Sequence, residues 1–218
     1  MEAARQDGAS ACATEALAVE FYFELASPYA YLSSERIEAV CAGLGVPLVW
    51  KPFMLGPILR RTGARPLFLD GLRGAYARQD CLRWARLHGI PFRYWAAEPT
   101  NSLKAARGAL VLQGRASHVP FIHACFRAHF VEGRNLDDDG LMAELVSGLG
   151  EDAAAFRSAI AAPELKRRLI DETEAAFARG VFGAPTFFFG DEMFWGNDRL
   201  TMLEAVVLAS GRGGPARG

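Results

Sequence analysis

Apolar and polar positions change period along this chain in a definite order. Between Ala18 and Leu25, Val19, Phe21, Phe23 and Leu25 alternate with Glu20, Tyr22 and Glu24, the two-residue period of a strand. Two carboxylates on the second face are awkward if this strand is central. After Ala26-Ser27-Pro28 the spacing lengthens to that of a helix running to about Leu44. Tyr29, Leu32, Ile37, Val40 and Cys41 make its apolar face, and Gly43 and Gly45 close it. Val46 to Lys51 reads as a second strand, so the first part of the chain predicts a βαβ unit.

From about Pro66 to Arg179 the pattern is helical throughout. Leu72–His88, Ser102–Gly114, Pro120–Phe130, Leu141–Gly148, Asp152–Ala162 and Pro163–Arg179 are the predicted helices. Gly89, Pro91, Pro99, Gly114, Gly133, Gly150 and Pro163 punctuate them. Strand character returns at Thr186 to Phe189. Gly190-Asp191-Glu192 is a turn, and Met193 to Trp195 a further strand. Asn197 or Asp198 is placed to cap a last helix through about Ala209. A trailing ββα fragment cannot bury its own sheet face, so the order βαβ, helices, ββα predicts one α/β domain split by a long all-helical insertion. The expected divisions are a sheet domain of 18–64 and 180–210 and an insertion of 65–179. Residues 1–17 form a mobile N-terminal tail in this reading, and 211–218 a flexible Gly-rich one.

Composition narrows the function classes. The 218 residues are 51% hydrophobic and 22% charged, and 24 basic side chains against 25 acidic ones leave a formal charge of -1. That balance gives no electrostatic footprint for nucleic acid or an anionic membrane. No stretch approaches the roughly 18 uninterrupted apolar residues of a membrane span, and the first seventeen residues lack the apolar run of a secretory signal. Cys12, Cys41, Cys81 and Cys125 are scattered without Cys-x-x-Cys spacing, which points to a reduced, cytoplasmic protein without a structural zinc site or redox dithiol. Asn135-Leu136-Asp137-Asp138-Asp139-Gly140 imitates the start of a calcium loop, but its twelfth position is Val146 where a bidentate Glu is needed. His118 and His129 lie about 16 Å apart along a helix at 1.5 Å per residue, too far to chelate one ion.

Three segments carry candidate chemistry, each with a plainer reading. Ser27-Pro28-Tyr29-Ala30 joins the first strand to the first helix. Ser is a good cap and Pro a good first helical residue, yet a hydroxyl at a helix N-terminus can also donate to a thiolate or oxyanion. Gly183-Ala184-Pro185-Thr186 is a turn before a strand. A cis Ala184–Pro185 bond there would turn the Ala184 backbone outward to pair with an extended peptide. Trp195-Gly196-Asn197-Asp198-Arg199 is a capped helix start or a grip on the amino and carboxylate groups of a small ligand.

Taken in order, Ser27-Pro28-Tyr29-Ala30, a helical insertion, Gly180-Val-Phe-Gly-Ala-Pro-Thr186 and Gly190-Asp-Glu-Met-Phe-Trp-Gly-Asn-Asp-Arg-Leu200 resemble the 2-hydroxychromene-2-carboxylate isomerases. These are relatives of kappa-class glutathione transferases and of the DsbA-like disulfide oxidoreductases. The likeness spans Ala18 to about Ala209 and implies a thioredoxin-like fold interrupted by the helical insertion. The oxidoreductases carry Cys-x-x-Cys where this chain has Ser27 and Ala30, so dithiol exchange has no thiols there. The resemblance implies glutathione as cofactor. Ser27 is then expected at its sulfur, Ala184 and Pro185 at its cysteinyl backbone, and Asn197 and Asp198 at its γ-glutamyl end. The family reaction interconverts a hydroxychromene carboxylate and a hydroxybenzylidene pyruvate, which makes a small aromatic carboxylate the expected substrate. Phe53, Trp84, Tyr94, Trp95 and Phe182 are candidate pocket walls, each also a candidate for core. Lys51 is the candidate partner of the substrate carboxylate and Asn101 a second polar contact, against plain readings as a surface lysine and a helix-capping asparagine. Lys51-Pro52-Phe53-Met54-Leu55-Gly56 departs from the naphthalene-pathway isomerases and leaves the substrate open. The relatives are commonly dimers, so a homodimer is implied. The competing readings are a kappa-like transferase that consumes glutathione by conjugation and a thioredoxin-fold binding protein without chemistry.

Overall fold

In the computed structural model, residues 17–93 and 100–212 are described. The tail of residues 1–16 with Cys12, the wall candidates Tyr94 and Trp95, Pro99 and the chain end from 213 lie outside them. The alternating aromatic segment forms β1 (Val19–Phe23) and sits inside a four-stranded sheet of order β2-β1-β3-β4. β2 (Leu48–Pro52) runs parallel to β1, β3 (Thr186–Phe189) pairs with it antiparallel, and β4 (Glu192–Trp195) closes the far edge. The register sets Phe21 opposite both Trp50 and Phe187. Their rings meet at 5.1 Å on each side, one edge-on and one stacked, the favoured aromatic geometries.

Nine α-helices follow among the described residues: α1 (Pro28–Leu44), α2 (Leu55–Thr62), α3 (Gly71–His88), α4 (Leu103–Leu112), α5 (His118–Phe130), α6 (Asp139–Gly148), α7 (Ala153–Ala161), α8 (Pro163–Ala178) and α9 (Leu200–Ala209). α1 stops where Gly45 turns to φ 67°, a left-handed conformation that lets its N–H satisfy the last carbonyls. One sheet face carries Phe21, Phe23 and Trp50. These join Tyr31 and Ile37 of α1, Phe121 and Phe126 of α5, Phe156 of α7 and Leu203 of α9 in one continuous core. The helical block and the sheet therefore share their interior. The other face buries Tyr22, Phe53 and Phe188 against Ile58 of α2 and Ala176 of α8.

The awkward carboxylates of β1 each find partners, as burial requires. Glu20 accepts from Arg179 Nη1 at 2.6 Å, and that guanidinium lies 4.0 Å from the Phe188 ring centroid and also holds the Gly190 carbonyl. Glu24, just past the strand, is buried and takes its hydrogen bonds from neutral donors, Ser102 and the Ala26 and Leu55 amides. The acidic run expected not to be a calcium loop is a helix start: Asp138 Oδ1 accepts from Gly140 N and Leu141 N.

Two expectations need correction. Helix α2 has no counterpart in the predicted elements, because its cap position, Met54, offers no acceptor; Glu24 supplies one from β1, taking the Leu55 N–H at 3.0 Å. The last helix is not capped by Asn197 or Asp198. A short 3-10 turn (Asn197–Arg199) leads into α9, and the Asn197 side chain points to α1 instead.

Candidate active site

Ser27 stands at the head of α1, beyond the C-terminal ends of the parallel strands. Its extended backbone (φ -92°, ψ 115°) precedes Pro28, whose fixed φ and missing N–H suit the first helical turn. The residue is 9% exposed. Its Oγ accepts from Ala30 N at 3.2 Å and donates to the Ala184 carbonyl at 3.1 Å, although the two residues are 157 apart in sequence. The Ala184–Pro185 peptide is cis. Pro185 O in turn accepts from Gly196 N at 3.0 Å. Three segments that were separate in the sequence thus meet at one place.

Close approach dictates the small residues here. A Cβ on Gly183 would lie 2.2 Å from Trp195 Nε1, so only glycine admits the indole. Trp195 and Phe182 form an edge-on pair with centroids 4.7 Å apart, both substantially exposed beside Ala184. Gly196 adopts φ 121° and its missing Cβ leaves room for Asp198, whose Oδ1 would be only 2.6 Å away. Asp198 is exposed, with Arg199 Nη2 at 3.2 Å from its Oδ2. Asn197 is 3% exposed. Its Oδ1 accepts from Ser33 Oγ at 3.2 Å and Arg36 Nη1 at 3.3 Å. Its Nδ2 is buried and has no partner.

Glu24 lies three residues before Ser27 and escaped functional notice in the sequence; its only signal was a carboxylate on a strand that turned out to be central. Burial pushes its pKa up, opposed by hydrogen bonds from Ser102 Oγ and from backbone amides including Leu55 and Ala26. No ion pair to it occurs among the described residues. One carboxyl group thereby ties the end of β1 to the starts of both α2 and α4. Tyr29, in the first turn of α1, donates to Asp80 Oδ2 of α3 at 2.9 Å. These contacts set the insertion against the head of α1.

The remaining candidates fall in several places. Lys51 is half-buried on β2, opposite Tyr22 in register. Asn101 is exposed one residue ahead of Ser102, the cap position of α4, and its Oδ1 accepts from Leu103 N at 3.2 Å in a local turn. Its neighbour Ser102 reaches Glu24, which brings the start of α4 to the β1 end. Of the two readings of Phe53, core is the one the structure shows: it is 1% exposed and packs on Tyr22. Trp84 is half-buried in α3, stacked on His88 at 5.5 Å and lying 5.4 Å below the Arg36 guanidinium. Cys41, Cys81 and Cys125 are buried free thiols. Burial pushes the first two up to about 12, and Cys125 upward as well, so none is a ready thiolate. Neither position 27 nor position 30 offers a thiol.

Comparison with known proteins agrees with this geometry. The DSBA-like thioredoxin domain matches residues 18–207. A 2-hydroxychromene-2-carboxylate isomerase of Pseudomonas putida is 34% identical over 87% of this chain and 93% of its own length. The human glutathione S-transferase kappa 1 is 27% identical over 87% of this chain and 90% of its own. A solved 2-hydroxychromene-2-carboxylate isomerase superposes with a TM-score of 0.82 at 33% identity, covering 90% of this chain and 97% of that one. A cytosolic disulfide reductase of Pseudomonas aeruginosa, solved with GSH, shares the fold at a TM-score of 0.64 and 21% identity, over 90% of this chain and 100% of its own. With its thiol-free helix start, cis-proline loop and Trp-Gly-Asn-Asp segment drawn together, the chain belongs to the DsbA-like thioredoxin family and, within it, to the 2-hydroxychromene-2-carboxylate isomerases.

Proposed function

We propose that this chain is a glutathione-dependent isomerase that interconverts 2-hydroxychromene-2-carboxylate-type and hydroxybenzylidenepyruvate-type intermediates. The observation that carries the proposal is Ser27: a hydroxyl at the head of α1, hydrogen-bonded to Ala184 beside Pro185, with alanine at position 30. A thioredoxin-like site without its own thiol fits a thiol brought by a ligand. The residues present suit a small peptide thiol: Ser27 offers a donor, Ala184 a carbonyl, Asn197 an unpartnered buried N–H and Asp198 an exposed carboxylate. When bound, glutathione supplies a thiolate able to add reversibly to a conjugated double bond and so free that bond to rotate.

The chain's own groups would act by holding and polarising. Ser27 Oγ has one proton, now donated to Ala184 O, while its lone pair takes the Ala30 N–H. An anionic acceptor near the head of α1 competes for that proton, favoured by the positive end of the helix. With a ligand N–H on the Ala184 carbonyl, Ser27 would be free to turn its O–H toward the anion and donate a hydrogen bond to it while keeping its proton. Asn197 and Asp198 hold the γ-glutamyl end in this reading, and Lys51 and Asn101 face the substrate carboxylate. Phe182 and Trp195 give the site an exposed aromatic flank.

A cytoplasmic homodimer belongs to the same proposal. The buried free cysteines support a reducing location, and Leu72, Tyr76 and Leu87 of α3 are exposed apolar positions available to a partner copy. Among the described residues, no helix is long and apolar enough to cross a membrane. Likeness to the kappa transferases favours conjugation as the second reading. Following total glutathione during turnover separates the two: a constant pool with product formed supports isomerisation, and stoichiometric loss establishes conjugation.

A further inference from the structure

The amide of Asn197 is clamped from one side. Both hydrogen bonds to it, from Ser33 and Arg36 on α1, end on Oδ1. A guanidinium can only donate, so the atom facing Arg36 must be the oxygen and the flipped amide is ruled out. The N–H2 is thereby directed away from both donors. It is enclosed and without a partner, in a residue that is 3% exposed. Buried donors are nearly always satisfied in folded chains, so an orphan beside a binding loop calls for an acceptor from outside. Arg36 itself is in no ion pair among the described residues; its charge is half-buried against Trp84 and its one hydrogen-bond partner here is Asn197. The neighbouring Asp198 has the opposite polarity. Its exposed carboxylate accepts only, and the absence of a Cβ on Gly196 gives it room.

We propose that Ser33 and Arg36 are positioning residues that fix Asn197 as a hydrogen-bond donor, so that it takes the α-carboxylate of the γ-glutamyl arm while Asp198 takes the ammonium. The inference rests on the glutathione reading and adds to it a polarity and two residues of α1. Donor and acceptor on adjacent residues match the two ends of an α-amino acid zwitterion. Arg36 adds a nearby positive charge that no carboxylate pairs with among the described residues.

Titration calorimetry on the full chain with three peptides tests this. The peptides are glutathione, 4-aminobutanoyl-Cys-Gly (no α-carboxylate) and glutaryl-Cys-Gly (no α-amino group). Wild type is expected to bind the decarboxylated peptide about 10- to 150-fold more weakly than glutathione, the range for hydrogen bonds to a charged group. Arg36→Leu and Asn197→Ala should weaken glutathione and glutaryl-Cys-Gly by at least about tenfold but leave 4-aminobutanoyl-Cys-Gly unchanged, because the group they serve is missing from it. Ser33→Ala should show a smaller loss of the same selectivity, and Arg36→Lys, which retains a donor, should restore part of it. Melting curves identify variants that do not fold, and the milder two then carry the test. Equal weakening of all three peptides, or none, overturns the positioning role while leaving glutathione binding intact. A wild-type chain that binds none of the three at millimolar concentration overturns the glutathione reading and this inference with it.

Discussion

Two helix starts bracket the site, and they are finished in opposite ways. At α1, Ser27 both caps the helix and donates onward to Ala184, so its hydroxyl is engaged as acceptor and as donor. At the 3-10 turn leading into α9, the obvious cap residue Asn197 abandons that task, gives its oxygen to α1 and leaves an N–H unused. A capping residue that caps needs no function to explain it; one that leaves a buried donor open does. The contrast separates what Ser27 does for stability from what it does for chemistry. The first is worth about 1 kcal/mol, the typical value of a cap. The second belongs to a donor aimed at developing charge, worth about 10²- to 10³-fold in rate.

Ser27→Ala therefore sharpens the comparison most. Turnover should fall by about 10²- to 10³-fold while thermal unfolding shows a loss of only about 1 kcal/mol. A rate within a few-fold of wild type would reduce Ser27 to a cap. Gly108→Ala is the opposite control in α4, far in sequence from both helix starts. Its Cβ would meet the buried rings of Phe121 and Phe156 at 2.6 and 2.7 Å, so stability should drop by about 1–3 kcal/mol with glutathione affinity retained in the folded fraction.

Glu24 tests the link between the α1 head and the insertion. Its native pKa is raised by burial, so the native state keeps this proton to higher pH than the unfolded chain. That contribution to stability is complete below the ordinary carboxylate value of about 4.3 and is lost as pH rises through the raised native value. Glu24→Gln should flatten this fall in denaturant midpoints measured across the acidic range; an unchanged pH profile would show that Glu24 does not titrate in the native state. The smallest effect is expected at His123. Burial lowers its pKa, but hydrogen bonds with Glu35 and Glu38 outweigh that and leave it raised. Its contribution is present below about pH 6.5 and lost above the native value, so His123→Gln should remove at most about 1 kcal/mol of low-pH stability.

Much of the fold was legible in local pattern, because its signals are local. The alternation of Val19, Phe21 and Phe23, the Gly45 stop of α1 and the aromatic run Thr186–Phe189 each carry their own period or conformation. What escaped depends on partners distant in the chain. α2 lacks a cap of its own and takes one from Glu24. Phe53 was one apolar residue among several until the second sheet face enclosed it. The site followed the same rule. Ser27, Ala184 and Pro185 could be named from their turn chemistry, and the Ser27 hydroxyl bonds the Ala184 carbonyl beside Pro185. The orientation of Asn197 could not be named, because it is decided by Ser33 and Arg36 on another helix.

The central claim is that Ser27 and the head of α1 polarise a borrowed thiol. The most direct measurement is the pKa of the glutathione thiol bound to the chain, followed by thiolate absorbance across pH in wild type and Ser27→Ala. In wild type the bound value is expected clearly below the free-thiol value of about 8.5, with a return toward it when the hydroxyl is removed. A bound thiol that titrates like the free one, or a depression that survives Ser27→Ala unchanged, would contradict it.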